Sequence, residues 1–277
     1  MSTLVYLCHF GDDTHGDFLV TAVTALQTVG QYQGDILIFT DNHERTAQLV
    51  KQLPNPEKVG LLNHEPTRGL FNRYQAAYDL ASLYGSLYTD FIYLDNDILC
   101  LGDITSFVKT IEESTQELHV YTQAYYPKFN GGLKVRQDPL TIAYGLGYVG
   151  SLLLIYPSIF AFKPTDKTIE LFKSLTEMRH RLPEYRYKHG FDVSYFSHAA
   201  YQLKGALNRT HITESVHQLT PQDVASGAEV EVGIIHLRNF PTNEQKLFAM
   251  TRLLKKQGLP YRDKLTVLNN LGKGESV

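Results

Sequence analysis

Tryptophan is absent from the 277 residues, and cysteine occurs only twice. Cys8 and Cys100 both fall in apolar runs that read as strands, so they are expected as buried reduced thiols rather than as a disulfide or a metal site, which favours a reducing compartment. Neither sign of charge dominates. A formal net charge of −3 and an isoelectric point near 6.4 leave no general attraction for nucleic acid, and binding to a polyanion would need a local patch. The opening MSTLVYLCHFGDD lacks the basic start and long apolar stretch of a secretion signal, and no window approaches membrane-spanning length, so the expected location is cytoplasmic. Without such a signal the sequon Asn208-Arg209-Thr210 carries no expectation of glycosylation. No fixed period and no Pro/Ser-rich linker divides the chain.

Hydrophobic residues make up 43% and charged residues 20%, the balance of a folded protein with a sizeable core. Strand and helix signals alternate through the first third. TLVYLCHF (3–10) and DILIFTD (35–41) read as strands, DFLVTAVTALQTV (17–29), HERTAQLVKQL (43–53) and RYQAAYDLASLY (73–84) as helices, and residues 58–62 as a short strand. Such βαβ units predict a mostly parallel sheet with helices on both faces. The second half is rich in tyrosine and glycine over 119–156 and predicts loops and antiparallel strands there. Helices near 165–180 and 192–203 follow, then a last strand at 233–240 and a terminal helix at 244–257.

The most informative stretch is FIYLDNDILCLGDI, residues 91–104. Phe91 to Leu94 read as a strand buried on both faces. It ends in Asp95 and Asp97, and Asp103 follows. If extended geometry continues through Asn96, the first two acids point to the same side, where both stay ionised only with a compensating cation. The alternative is a solvated turn carrying incidental acids. Ligands of parallel sheets sit at the carboxyl ends of the strands, where His9, Asp41, Asp95 and Asp97 are expected to share one crevice.

The stretch YLDNDI followed by Gly102-Asp103-Ile104, together with the opening VYLCHFGDD and the late IIHLRNF, resembles GT-A-fold glycosyltransferases, in particular the glycogenin and bacterial lipopolysaccharide galactosyltransferase group, family eight. SIFAFKPTDKTIELFKSL (158–175) is similar to the segment after that family's acceptor motif. The resemblance spans about residues 3–246 and implies a single α/β domain of GT-A type over 1–243. That domain would have a Rossmann-like, mostly parallel sheet flanked by helices and a smaller antiparallel acceptor-side region, followed by a basic helix and tail over 244–277. It implies transfer of a sugar, hexose above all, from a nucleotide-sugar donor such as a UDP-sugar to a glycan, lipid-linked or other hydroxyl acceptor. Three departures touch the sugar side: Pro157-Ser158-Ile159 stands for Asn-Ser-Gly, Asp192-Val193 for Asp-Gln, and His236-Leu237-Arg238-Asn239 with Lys246 for His-x-x-Gly-x-x-Lys. They keep open the alternative of a degenerate GT-A domain that binds nucleotide or a partner without turnover.

Hard cations prefer carboxylate and phosphate oxygens, and manganese also accepts imidazole. The resemblance implies that Asp95, Asp97 and His236 are the ligands of Mn2+ or Mg2+, with an acid limit expected near the histidine's ordinary pKa of about 6.5. Arg73 is either a bidentate phosphate contact or a surface charge. Asp192 is either the catalytic carboxylate or a helix N-cap. His9, Phe10 and Asp41 are candidates for the base and ribose, with Asn96 and Lys246 as further donor contacts, while Asp12, Asp13 and Asp17 suit the acidic first turn of a helix. Among the 18 tyrosines, Tyr125, Tyr126, Tyr144 and Tyr148 either line an acceptor cleft or sit half-buried in strands. The basic stretch Lys246 to Lys273, interleaved with Leu247, Phe248, Met250, Leu253 and Leu254, either lies on an anionic membrane or packs its apolar side on the domain. A haloacid-dehalogenase phosphatase would carry its D-x-D on the first strand, and a nucleotidyltransferase would want a basic glycine-rich loop where this chain has acidic HFGDDTHGD.

Overall fold

β-branched and aromatic runs make the strands, and apolar residues at helical spacing make the helices that cover them. The computed structural model describes residues 2–11, 13–65, 72–124, 153–181, 192–203, 209–226 and 233–258. β1 (Thr3–His9) leads through α1 (Asp13–Thr28) to β2 (Asp35–Thr40), through α2 (His43–Val50) to β3 (Val59–Asn63), and through α3 (Asn72–Tyr84) to β4 (Asp90–Leu94). β1 pairs in parallel with β2 and β4, and β2 with β3. These are the βαβ units that the alternation predicts. β7 (Leu153–Phe162) then runs antiparallel to β4 and to β6 (Leu118–Ala124), and β8 (Arg209–His211) lies parallel to β6. The order of this seven-stranded, mostly parallel sheet is β3-β2-β1-β4-β7-β6-β8.

β5 (Ile98–Cys100) leaves the main sheet for a second one, in which β10 (Ile234–Leu237) pairs antiparallel with β5 and parallel with β9 (Val216–Leu219). The remaining helices among the described residues are α4 (Thr105–Glu113), α5 (Asp166–Arg181), α6 (Asp192–Gln202), α7 (Pro221–Ser226) and α8 (Asn243–Lys256). The sequence reading has no counterpart for α4. Its start is marked by Asp103, whose Oδ1 accepts from the Thr105 N–H at 2.8 Å. The third acid of the 91–104 stretch therefore serves a helix start.

Alternation along the strands sorts the core into two faces. Tyr6, Phe91, Tyr93, Phe160 and Phe162 pack on one face with Tyr74, Phe172 and Phe196, while Val5, Leu7, Ile92 and Leu94 meet Leu19, Val23 and Leu26 of α1 on the other. The aromatic side is tight, with the Phe162 and Phe172 rings 4.6 Å apart, and truncating a ring such as Phe160 to alanine is expected to cost about 3–5 kcal/mol. All five residues of β4 are buried, as the reading of residues 91–94 expects. Gly30, just past α1, packs against β5 so closely that an added Cβ would lie 2.6 Å from the Leu26 carbonyl oxygen and 3.0 Å from the Cys100 Cβ.

The terminal helix packs its apolar side on the domain. Ala249, Met250, Leu253 and Leu254 of α8 are buried against Phe18, Ala22 and Ala25 of α1 and against Leu99, Ile235 and Leu237. This apolar side belongs to the core, while Phe248 is 54% exposed. Tyr125, Tyr126, Tyr144, Tyr148 and the tail from 259 onward lie outside the described residues, as does Asn208 of the sequon. No described helix is long and apolar enough to cross a membrane.

Candidate active site

The chain does not stay extended beyond Leu94. The Ile98 N–H donates to the Asp95 carbonyl at 3.0 Å, closing a turn over Asn96 and Asp97, and the Asp95 N–H donates to the Ser158 carbonyl of β7 at 2.8 Å. Asn96 ties the turn to β1, its Nδ2 donating to the Cys8 carbonyl at 3.0 Å. The two acids thus sit on a hinge between two sheets rather than along one strand face, and each has its own environment.

Asp95 faces back toward the main sheet. Its Oδ2 accepts from Arg73 Nη1 at 3.0 Å, and its Oδ1 accepts from the Tyr93 hydroxyl. Arg73 Nη1 also donates to the Pro157 carbonyl at 2.9 Å, and the guanidinium lies 5.3 Å from the centroid of the Tyr93 ring. The side chain is only 7% exposed, so Arg73 is not the surface charge that one reading of α3 allows. Burial pushes the Tyr93 hydroxyl well above its ordinary pKa, which keeps it a donor to Asp95.

Asp97 faces the second sheet and α8. Its Oδ2 accepts from Lys246 Nζ at 2.6 Å, while its buried Oδ1 has no hydrogen-bond partner among the described residues. Thr242 caps α8 by accepting from the Gln245 N–H at 3.2 Å, which fixes the turn that carries Lys246. Burial alone would raise Asp97. His236 and Lys246 outweigh it and hold the carboxyl below the usual carboxylate range. His236 lies across from Ile98 in the β5–β10 register, one residue from Asp97. Burial pushes its imidazole down to about 4, with the neighbouring Asp97 carboxylate opposing that shift.

Cys8, Phe10, Phe18, Asn72, Arg73, Tyr93, Asp95, Asn96, Asp97, Asn243 and Lys246 line a cleft of about 320 Å3 at the carboxyl ends of β1 and β4. This is where parallel sheets place their ligands. Of the expected donor-binding residues, the structure brings Phe10, Arg73, Asn96 and Lys246 to it. His9 is buried on the opposite side of β1 from Cys8 and Phe10, near Gly16 of α1, because neighbours on a strand point to opposite faces. Asp41 is exposed just past β2 and does not line the cleft. Asp192 opens α6, and its side chain is outside the described residues. Sequence reasoning missed Tyr93, Asn72 and Asn243. Tyr93 had a signal, since it shares strand parity with Asp95. Cys8 lines the cleft, but burial raises its thiol pKa far above the ordinary value, which rules out a thiolate nucleophile.

Asp97 Oδ1 and His236 Nδ1 are buried and have no hydrogen-bond partners among the described residues, and a carboxylate oxygen with an imidazole nitrogen fits Mn2+ or Mg2+ when phosphate and water complete the shell. Asp95 already spends both oxygens on the protein. Among the described residues no group of three or more His, Cys, Asp or Glu side chains is arranged to hold a metal ion by itself.

The architecture is that of the GT-A-fold glycosyltransferases. Galactosyltransferase LgtC, in complex with donor and acceptor sugar analogs, superposes with a TM-score of 0.57 at 11% identity, covering 95% of this chain and 98% of LgtC. An active-site mutant of LgtC gives 0.56 at 12% identity over the same shares. The bifunctional glycosyltransferase WbbM gives 0.57 at 9% identity, over 93% of this chain and 52% of WbbM. No family model matches the sequence, and no curated protein matches it.

Proposed function

We propose that the chain is a glycosyltransferase, a hexosyltransferase in particular, that moves a sugar from a nucleotide-sugar donor, a UDP-sugar first of all, to a hydroxyl of a carbohydrate or lipid-linked acceptor. The observation that carries this reading is the convergence of Arg73 and Lys246 on the acidic turn at the mouth of β1 and β4, beside Phe10, in a GT-A fold. Donor cleavage releases a nucleoside diphosphate, and cations aimed at its oxygens stabilise the charge that develops there. Lys246 and the cleft-facing edge of Arg73 are suited to hold the diphosphate. Phe10 offers the nucleobase an apolar ring face. A divalent ion, Mn2+ or Mg2+, bound at the acidic turn would neutralise further charge on the leaving diphosphate. Asp192, opening α6, is the candidate for the carboxylate near the reacting sugar.

The pairing of each acid with a protein cation favours one other reading, a GT-A domain that binds nucleotide without turnover. A thermal-shift panel of nucleotide sugars with and without Mn2+ names the donor, since a ligand of the native state raises the melting temperature with occupancy. Assay of donor hydrolysis and transfer follows. Turnover supports the transferase, binding without turnover supports the alternative, and no shift with any nucleotide sugar removes both.

A further inference from the structure

A second cavity, of about 1000 Å3, opens at the other end of the main sheet from the cleft. Its floor is the start of β1 and β2, at Thr3 and Asp35, and its walls are the loop between α1 and β2 and one face of α4, which carries Thr105, Val108, Lys109 and Glu112 at helical spacing. Thr3 and Cys8 of β1 stand one at each opening, so at ~3.3 Å per residue the openings lie roughly 17 Å apart. The trough has a fixed shape. The Tyr32 hydroxyl donates to the Thr3 carbonyl at 2.7 Å, the Thr3 hydroxyl to Glu112 Oε1 at 2.6 Å and the Tyr88 hydroxyl to Asp35 Oδ2 at 3.0 Å. The Ile104 N–H ties α4 to the loop by donating to the Gly30 carbonyl at 3.1 Å, and the Tyr32 N–H donates to the Leu26 carbonyl at 3.1 Å. Between these two anchors Gln31 keeps a left-handed backbone, φ 53°, which a residue with a β-carbon adopts only at a cost.

The lining selects a class of ligand. Lys58 and Lys109 stand against Asp35, Glu112 and Glu113, and Lys109 already faces Glu113 at 3.6 Å, so the trough offers no net attraction for a phosphate or a polyanion. Tyr32, Ile104 and Val108 supply apolar surface only in pieces between polar groups, which suits no lipid chain. The exposed amides of Gln31 and Gln33 and the exposed Thr105 hydroxyl both donate and accept, while Asp35 and the half-buried Glu112 accept. A sugar ring is the complement, with hydroxyls that donate and accept around its edge and C–H faces that pack on apolar side chains. We propose that this trough is a second carbohydrate-binding site, which takes a neutral oligosaccharide away from the donor cleft and holds glycan on the enzyme that extends it. The extension rests on the transfer reading above; the site rests on the trough's own chemistry. A glycan long enough to span both openings would reach the cleft at a raised effective concentration.

The experiment titrates maltohexaose, cellohexaose and mannohexaose in turn into the isotope-labelled full chain, following the amide resonances of Gln33, Gly34 and Thr105 at the trough, and measures UDP affinity separately by calorimetry. At least one hexasaccharide is expected to shift the trough amides saturably. Gln33→Ala and Glu112→Gln should each weaken that binding about 5-fold, the loss of one hydrogen bond, and Val108→Trp, which fills the trough from α4, should remove the shifts. All three should leave UDP affinity unchanged within about 2-fold, because effects at separate sites do not couple. Gln33 is exposed on the loop, so Gln33→Ala tests the site even if Val108→Trp fails to fold. Trough amides that no hexasaccharide moves, or shifts that survive the variants at wild-type affinity, overturn the site and leave the transferase reading standing. A chain that binds a hexasaccharide at the trough but no UDP keeps the carbohydrate site and overturns the donor site instead.

Discussion

β4 has an aspartate at each end, and the two ends have become different things. At its start Asp90, fully buried, accepts from Lys163 Nζ at 2.6 Å and from the Thr89 hydroxyl at 2.8 Å, with His119 nearby. Just past its end Asp95 meets Arg73 and Tyr93 beside an open cleft. Each is an acid–base pair with one buried member, Asp90 in the first and Arg73 in the second. The first is enclosed by packed chain, where an ion pair has only a structural outlet. The second stands at the carboxyl end of the parallel strands, where the connections diverge and leave room for a ligand. Ionic pairing by itself does not mark a functional site, since a buried pair costs desolvation wherever it sits. What separates the two ends is the cleft and the unpartnered oxygen of Asp97 next to it.

The contrast can be broken most forcefully at the closed end. Asp90→Ala leaves the Lys163 ammonium without its buried partner and is expected to destabilise the fold by about 3–5 kcal/mol. Urea unfolding would measure this, and refolded protein should retain its UDP affinity. At the open end the order reverses: Lys246→Met should weaken UDP binding about 30-fold, the loss of roughly 2 kcal/mol of charge-assisted hydrogen bonding, while moving the urea midpoint little. A variant that unfolds readily yet binds UDP normally would show that Lys246 belongs to the structural class. Phe10→Ala, which removes the ring but no charge, should cost UDP affinity about 5-fold, or roughly 1 kcal/mol. The same variant should leave Mn2+ affinity unchanged in calorimetry.

The smallest effect concerns pH at the closed end. Burial, helped by Lys163, holds His119 below its ordinary pKa. The unfolded chain therefore takes up the proton first as pH falls. The stability that the neutral histidine contributes is complete above about pH 6.5 and is lost as pH drops through the lower folded value. Comparing urea curves at pH 7.5 and 5.5, the wild type should lose more stability than His119→Asn, and equal losses would assign the acid sensitivity to other groups.

Much of the fold was legible because its signals are local. The run Phe91 to Leu94 reads as a buried strand from composition alone, and the predicted helix at 73–84 is found at 72–84. α4 went unread although the Asp103–Thr105 contact marks its start. The site was legible by residue type and less so by direction. Phe10, Arg73, Asn96, Asp95, Asp97 and Lys246 meet at the cleft, but His9 points away, because a shift of one position along a strand moves a side chain to the opposite face.

The sequence by itself determined the alternation of strands and helices and the buried strand that ends in acids, since periodicity acts over a few residues. Only the tertiary structure decided what each acid meets. The turn at Asn96 sends Asp95 toward an arginine 22 positions back and Asp97 toward a lysine 149 positions ahead. Nothing in the spacing of Asp-Asn-Asp anticipates that split. It arises because the chain changes sheets between the two acids, and a partner across the fold is chosen by packing rather than by distance along the chain.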